Sequence, residues 1–151
     1  MGYWIFSSNT LQNIEIAKER LIWGFWDREA GERQRKNWRP FIRLYNRIRP
    51  FDAVFFQIAK TGEIHAVGIV KEVHFDDQTP IWPQEQAQNQ VLFPWRVELC
   101  NILFSDKSFV SHFTSIANYI DGYGIGELSV HEFRRILTEL QRKLNADYNL
   151  G

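Results

Sequence analysis

The sequence contains a single cysteine, Cys100, and no long apolar run. A lone cysteine excludes an intramolecular disulfide and a zinc site built from clustered cysteines. No stretch approaches the ~20 consecutive apolar residues that a membrane-spanning helix needs, and the N-terminus lacks the basic segment of a secretory signal peptide. We therefore expect a cytoplasmic protein without a membrane partner.

Length and composition fit one domain. The chain of 151 residues is 44% hydrophobic and 24% charged, so it can bury a core without the help of disulfides or metals. We predict a single domain over residues 1–151. The 18 basic and 18 acidic side chains balance, so the chain as a whole is not a polycation. Aromatic residues reach 15%, with six tryptophans, and some of these rings are candidates for a binding surface.

The basic side chains concentrate in residues 27–49. This stretch holds eight basic and three acidic side chains, a net charge of +5, and seven of the eight are arginine. Arginine binds phosphate oxygens in a forked geometry, and an aromatic ring among arginines, here Trp38, suits nucleic-acid contact. A solvated helix face with ordinary ion pairs explains the same charge equally well. The candidate phosphate-binding residues are Arg33, Arg35, Lys36 and Arg39.

The hydrophobic pattern predicts short strands, a tight hairpin and helices near both ends of the chain. Thr61-Gly62 is a hairpin signal between two strands, which argues against a parallel βαβ arrangement. Asn13 is the predicted N-cap of the first helix, and Ser129 with Glu132 forms a capping box for the last helix. The predicted strands cover residues 3–7, 22–26, 52–59, 63–74 and 91–103, the predicted helices cover 14–21, 40–48, 106–113 and 129–145, and the predicted loops cover 27–37 and 76–90.

The sequence has no recognisable catalytic or metal-binding constellation. The four histidines lack HxH and HxxxH spacing. Residues 122–126 follow the pattern GxGxG, but no strand–turn–helix unit surrounds them. We predict a protein that is not an enzyme and that uses neither a metal nor a cofactor.

Two tryptophans are candidates for contact with a flat ligand. Trp23 follows the first predicted helix. Trp82 lies in the long polar loop predicted over residues 76–90, where it stands between two prolines. Two facing indoles form a slot that can sandwich a nucleobase, at about 1–3 kcal/mol per stacked base. The residues alone favour a core role for Trp23 and leave Trp82 open. We predict that the two tryptophans face one pocket. Trp82→Ala is then expected to weaken binding of a modified oligonucleotide much more than it lowers stability, because a loop tryptophan contributes little to the core.

Short motifs occur in a fixed order along nearly the whole chain. They are YWIFSSN (residues 3–9), NIEIAK (13–18), IWG (22–24), RPFD (49–52), AVGIVKEV (66–73), FPWRV (93–97) and IDG (120–122). In this order they resemble the motifs of YTH domains, which read N6-methyladenine, and of the related EVE and PUA-like domains. The resemblance implies a PUA/YTH-like α/β fold, in which a twisted, mainly antiparallel sheet forms a partial barrel flanked by helices.

The resemblance also implies a base-binding site with an aromatic cage. Trp23 falls on the first wall of the cage and Trp82 near the second, with Trp26 or Phe93 as candidates for a third. The residues that fall on polar contacts to the base are Ser7, Ser8, Asn9, Asn13 and Asp121.

Three positions depart from the YTH pattern. Phe6 stands where YTH domains often have lysine, Gly24 replaces the serine beside the first tryptophan, and the segment before Asn13 is one residue longer. For Asp121, a turn that bonds its own backbone is the alternative to a contact with the base.

The function implied by the resemblance is non-catalytic reading of a modified base in DNA or RNA. N6-methyladenine is favoured, 5-methylcytosine is the alternative, and a base within a duplex would be flipped out. Because relatives are fused to GTP-driven, methyl-dependent restriction motors, a fused or associated NTP-driven motor or nuclease is an expected partner. The competing hypotheses are a PUA-like RNA-binding domain that does not read modification, a small nucleotide-directed enzyme and a protein-interaction domain.

Overall fold

The computed structural model describes residues 1–27, 32–110, 118–120 and 124–148, with side chains described for 1–27, 38–110 and 124–145. Its elements, in chain order, are β1 (Tyr3–Ser8), α1 (Leu11–Arg20), β2 (Ile22–Phe25), α2 (Glu32–Tyr45), β3 (Ala53–Ile58), β4 (Ile64–Phe75), α3 (Pro83–Gln88), β5 (Trp95–Phe104), β6 (Asn118–Ile120), β7 (Ile125–Leu128) and α4 (Val130–Tyr148).

The strands form one seven-stranded sheet in the order β2-β5-β4-β3-β1-β7-β6. β1 runs parallel to β3, and the other five pairs are antiparallel. The predicted mainly antiparallel α/β fold is confirmed. Within the described residues β2 and β6 are the two edges of the sheet and do not pair, so the sheet stays open.

Helices cover both faces of the sheet. Successive side chains of a strand point to opposite faces, and in β1 this sends Trp4 and Phe6 into one cluster and Ile5 into the other. The first cluster packs under α1 and α2. The second packs under α4 through its apolar stripe, which includes Ile136 and Leu140. All of the predicted site residues that are described belong to the side of α1 and α2 or to the strand ends beside it.

Local capping decides where the first and last helices begin. The predicted capping box of α4 is confirmed, since the Ser129 backbone N–H donates to Glu132 Oε1 at 2.9 Å and the Glu132 N–H donates to Ser129 Oγ at 3.1 Å. The predicted N-cap of α1 is wrong. Thr10, not Asn13, caps this helix, and its Oγ1 accepts from the Asn13 N–H at 3.2 Å. Thr10 lies two residues after the end of β1, so the helix begins at Leu11.

The two predicted loops contain helices. α2 begins at Glu32 inside the predicted loop 27–37 and continues through Pro40. The predicted loop 76–90 contains α3, which starts with Pro83, a residue well suited to a first helical turn. The long strand predicted from residue 91 starts instead at Trp95. Residues 106–110 are bends and a bridge to Ile64 rather than the predicted helix, whose last residues lie outside the described part.

Candidate nucleic-acid interface

Trp23 and Trp82, which are 59 positions apart in the sequence, contact each other. Their ring centroids are 5.9 Å apart and the ring planes meet at 78°, so the edge of one indole meets the face of the other instead of facing it across a slot. A base can lie between these rings only if they separate. Trp82 is only 1% exposed, so the expectation that it contributes little to the core is wrong. Truncation of a buried tryptophan to alanine costs about 3–5 kcal/mol.

Both candidates for a third wall adjoin this pair. The Phe93 ring lies edge to face against Trp82, with centroids 5.6 Å apart, and also contacts Trp26 at 4.6 Å. Phe93 is buried, whereas Trp26 is 46% exposed. An aromatic cluster of four rings therefore runs from Trp23 in the core through Trp82 and Phe93 to Trp26 at the surface.

A buried carboxylate fixes the segment that carries Trp82. Glu85 is fully buried, and its Oε1 accepts from the backbone N–H groups of Ile81 and Trp82 at 2.9 and 3.4 Å. Its Oε2 accepts from the N–H groups of Leu92 and Phe93 at 2.8 and 2.9 Å. One side chain thus joins both ends of the segment through four backbone donors.

Arg96 completes this arrangement from β5. Its side chain is fully buried, its Nη2 lies 3.4 Å from Glu85 Oε2, and it donates to the carbonyl oxygens of Thr79 and Phe93 at 2.7 and 2.9 Å. The guanidinium carbon lies 5.3 Å from the centroid of the Trp82 ring. Burial lowers the pKa of Arg96, and the carboxylate of Glu85 works against that change. The sequence reasoning missed this pair, because no local pattern connects residues 85 and 96.

Gly24 provides the space for Trp82. A Cβ atom at position 24 would lie 3.0 Å from Cζ3 of Trp82 and 2.7 Å from the carbonyl oxygen of Phe93. These separations are shorter than van der Waals contact, so a side chain at position 24 would force its neighbours to move. Glycine is therefore required at position 24 by the close approach of both Phe93 and the Trp82 ring.

Among the predicted polar contacts, Asn13 lies against the aromatic cluster. The Trp82 Nε1 donates to the Asn13 carbonyl oxygen at 3.3 Å. The side chain of Asn13 is buried, and its Oδ1 finds no hydrogen-bond partner within the described residues; the same holds for the buried Nε1 of Trp23. A buried polar group left without a partner costs about 1–3 kcal/mol, so each of the two atoms calls for an explanation.

The other predicted polar residues are placed differently. Ser7 Oγ accepts from Gln57 Nε2 at 2.8 Å, and the buried Ser8 donates its hydroxyl to the Thr10 carbonyl oxygen at 2.7 Å. Asn9 is exposed at the end of β1. Asp121 lies outside the described residues.

Of the predicted phosphate-binding residues, Arg39 has a described side chain. α2 also contains Arg33, Arg35 and Lys36, whose side chains are outside the described part. Arg39 is exposed, as is Arg43 one turn later on the same face of α2. Neither forms an ion pair with any described residue.

The described residues offer neither a cluster of metal ligands nor a helix that could cross a membrane. No group of three or more histidine, cysteine, aspartate or glutamate side chains is arranged to hold a metal ion. None of the described helices combines the length and apolar character needed to cross a membrane.

Comparison with known proteins identifies one close relative and a shared fold. No protein-family model matches the chain. The chain is 59% identical over 143 residues to the uncharacterized protein MJ1369 of Methanocaldococcus jannaschii. The matched residues cover 95% of this chain and 92% of that protein.

Three solved structures have a similar fold at low sequence identity. One is the YTH domain-containing protein mmi1 in complex with RNA, with a TM-score of 0.60, 12% identity, and coverage of 98% of this chain and 86% of that chain. Another is the Toxoplasma CPSF4 YTH domain in complex with a 7-mer m6A-modified RNA. Its TM-score is 0.59 and its identity is 15%, and the match covers 93% of this chain and 91% of that chain. The third is the Pho92 YTH domain in complex with m6A. Its TM-score is 0.57 and its identity is 14%, and the match covers 93% of this chain and 83% of that chain. The fold of this chain is therefore YTH-like.

Proposed function

This chain belongs to the family of the uncharacterized Methanocaldococcus jannaschii protein MJ1369, and we propose that it is a non-catalytic reader of a modified base in nucleic acid. N6-methyladenine in single-stranded RNA is the favoured target, because the YTH domains that share its fold were solved with RNA or with this base. The base would be bound by the aromatic cluster around Trp23 and Trp82.

The convergence of three elements on this cluster carries the proposal. Trp23 comes from β2, Trp82 from the segment before α3, and Asn13 from α1. They are joined by the ring contact of 5.9 Å and the hydrogen bond of 3.3 Å. These are the residues to which the resemblance assigns the two cage walls and a polar contact.

Two buried polar atoms that find no partner within the described residues match the hydrogen-bonding groups of the base. The Asn13 Oδ1 is an acceptor and the Trp23 Nε1 is a donor. N6-methyladenine keeps one N–H donor on N6 and an acceptor at N1. Its methyl group needs no hydrogen bond, so aromatic rings can surround it without leaving a polar group unsatisfied.

Entry of the base requires the two indoles to separate, because they are now in contact. Trp82 belongs to the segment of residues 76–94, which connects β4 with β5. We propose that the side chain of Trp82 turns away from Trp23 and then stacks on the base. The buried pair of Glu85 and Arg96 would hold the backbone of the segment in place during this movement.

Residues outside the cluster supply the rest of the proposed site. Ser7, Ser8 and Asn9 would contact the edge of the base, and Asp121 would accept a hydrogen bond from its amino group. We expect Asp121→Ala to lower affinity for modified RNA by about 1–3 kcal/mol while leaving unmodified RNA unaffected; an equal loss for both would make Asp121 a turn residue.

Phosphate binding is assigned to the basic face of α2, through Arg33, Arg35, Lys36 and Arg39. Neutralising Arg35 and Lys36 together should weaken binding of modified and unmodified strands alike and flatten the salt dependence. The resemblance also supports an NTP-driven motor or nuclease as partner, which co-purification of the native protein would test.

The decisive experiment is isothermal titration with 9-mer RNAs that differ only in the central base. We expect RNA with N6-methyladenosine to bind at least about tenfold more tightly than the unmodified strand, and parallel strands with 5-methylcytidine, and the corresponding DNAs, define the base and the sugar. Equal affinity for modified and unmodified RNA would favour the PUA-like alternative. Failure to bind any strand would overturn both readings.

A further inference from the structure

Three aromatic rings form a row at the end of the sheet where β4 ends and β5 begins. Residues 76–94, which carry Trp82, connect these two strands. β4 ends at Phe75 and β5 begins at Trp95, and these two residues are register partners with ring centroids 4.7 Å apart. Trp38 of α2 also packs against Trp95, with ring centroids 5.0 Å apart. We call these three residues the aromatic strip. Phe75 is 49% exposed, and the two tryptophans are half-buried.

Two exposed arginines follow Trp38 on α2. Arg39 follows Trp38 directly, and Arg43 lies one helical turn further on. Both are exposed, and neither meets an acid among the described side chains. Exposed arginines without acidic partners produce a positive potential that attracts a polyanion.

We propose that the aromatic strip and the two arginines form a second contact surface, which binds the nucleotides next to the modified base. The proposal rests on the function proposed above. Bases would stack on Phe75 and on the accessible parts of Trp38 and Trp95, while Arg39 and Arg43 bind the connecting phosphates. Stacking on aromatic side chains with arginines along the backbone is the usual way in which proteins hold single-stranded RNA.

The position of the strip suits neighbouring nucleotides of one strand. In the pairing of β2 with β5, Phe25 lies opposite Trp95 and Trp23 lies opposite Val97. Two residues along a strand are about 7 Å, so the strip begins close to the cage in the plane of the sheet. An apolar protein segment would use the rings but leave both arginines unmatched, which is why we favour RNA as the occupant.

The test compares RNAs of two lengths with variants of the strip. The protein is titrated with a 9-mer and a trinucleotide that both carry N6-methyladenosine at the centre. Phe75→Ala is expected to weaken binding of the 9-mer about tenfold, from the loss of one stacked base, and to change trinucleotide binding much less. The double variant Arg39→Gln with Arg43→Gln should reduce the salt slope for the 9-mer by about 0.7 for each lost phosphate contact.

Matched controls come from other parts of the surface. Phe51 is an aromatic residue with 68% exposure that is not part of the strip, and Phe51→Ala should leave the affinity for both RNAs unchanged. Arg134→Gln with Arg142→Gln removes two exposed arginines from α4, which packs on the opposite face of the sheet. This pair controls for the overall loss of charge.

The outcomes separate the two proposals. If the strip variants bind the 9-mer as tightly as their controls do, the second contact surface is overturned even when the wild-type protein prefers methylated RNA. If the wild-type protein shows no preference for methylated RNA but the strip variants still lose affinity for the 9-mer, the base-reading proposal fails and the strip stands. A wild-type protein that binds no 9-mer overturns the strip as an RNA surface.

Discussion

Gly24 lies directly against the Trp82 ring, at a distance that leaves no room for a side chain on residue 24. The nearest ring atom, Cζ3, would be 3.0 Å from a Cβ atom at this position. The YTH pattern that the sequence resembles has a serine here, so the indole of Trp82 and the backbone of Phe93 take up the space of that side chain. The geometry of the aromatic cluster in this chain therefore depends on a glycine that departs from the pattern.

Gly24→Ala should destabilise the protein by about 1–3 kcal/mol, because an added methyl group overpacks the core. The cost should be smaller in a Trp82→Phe background, where the smaller ring relieves the contact with Trp82 but not the contact with the Phe93 backbone. Urea unfolding of the two single variants and the double variant gives the coupling energy. We expect at least about 0.5 kcal/mol, as found for residues in contact. Additive effects would show that the contact with Phe93, and not the contact with the Trp82 ring, accounts for the cost of the added methyl group.

Arg96→Met should lower the free energy of unfolding by about 3–5 kcal/mol, because it leaves the fully buried carboxylate of Glu85 without its cation. The matched control is Arg47→Met, which breaks the Arg47–Glu127 pair at 2.9 Å on the surface. Such pairs contribute about 0–1 kcal/mol. Chemical denaturation measures both variants, and similar small losses would contradict the role assigned to Arg96.

Asn13→Ala should separate function from stability. The side-chain oxygen of Asn13 has no partner within the described residues, and alanine is the better helix former, so we expect little change in the free energy of unfolding. Affinity for RNA with N6-methyladenosine should fall by about 1–3 kcal/mol through loss of one hydrogen bond to the base.

The control for this variant is Thr10→Ala, which removes the N-cap of the same helix. It should cost about 0.5–2 kcal/mol of stability and leave the preference for the methylated base intact. An Asn13→Ala protein that is destabilised but binds RNA normally would assign the asparagine to the core.

Acid titration should reveal the carboxylate of Asp76. Burial raises the pKa of this group, but hydrogen bonds from Gln78 and Thr79 and the charge of Arg96 outweigh burial and hold the pKa below its ordinary value. A carboxylate with a depressed pKa stabilises the fold above its unfolded pKa of about 3.9. That contribution is lost as the pH falls through the lower, folded pKa.

The free energy of unfolding of the wild-type protein should therefore decrease more than that of Asp76→Asn when the pH is lowered from 5 to 2, because asparagine does not titrate. Urea titrations at several pH values measure both curves. Parallel curves for the two proteins would mean that Asp76 makes no such contribution.

Local signals in the sequence predicted the parts of the fold that depend on neighbours in the chain. The capping box of Ser129 and Glu132 and the hairpin at Thr61-Gly62 are set within a few residues, and both are confirmed. The N-cap of α1 is harder to predict from the sequence, because Thr10 and Asn13 are both good capping residues. The choice between them depends on where β1 ends.

The geometry of the site could not be predicted in the same way. The resemblance pointed to Trp23 and Trp82 as a pair, and the structure brings them together, but their angle of 78° follows from packing against Gly24 and Phe93. The contact between Glu85 and Arg96 joins α3, which lies in a predicted loop, to β5, an inner strand of the sheet. Hydrophobic periodicity carries no information about such a buried ion pair.

Binding of the modified base should proceed in more than one step. Trp23 and Trp82 are in edge-to-face contact, so a base can enter only after the rings separate, and a conformational step of this kind limits the rate of association. In stopped-flow mixing with an excess of methylated 9-mer, we expect tryptophan fluorescence to change at a rate that levels off as the RNA concentration rises. Trp82→Phe should reduce the amplitude of this change while the protein stays folded. A rate that rises linearly over the whole accessible concentration range, with fluorescence unaffected by the variant, would show that the base binds without opening the Trp23–Trp82 contact, and the base would then have to be bound elsewhere on the domain.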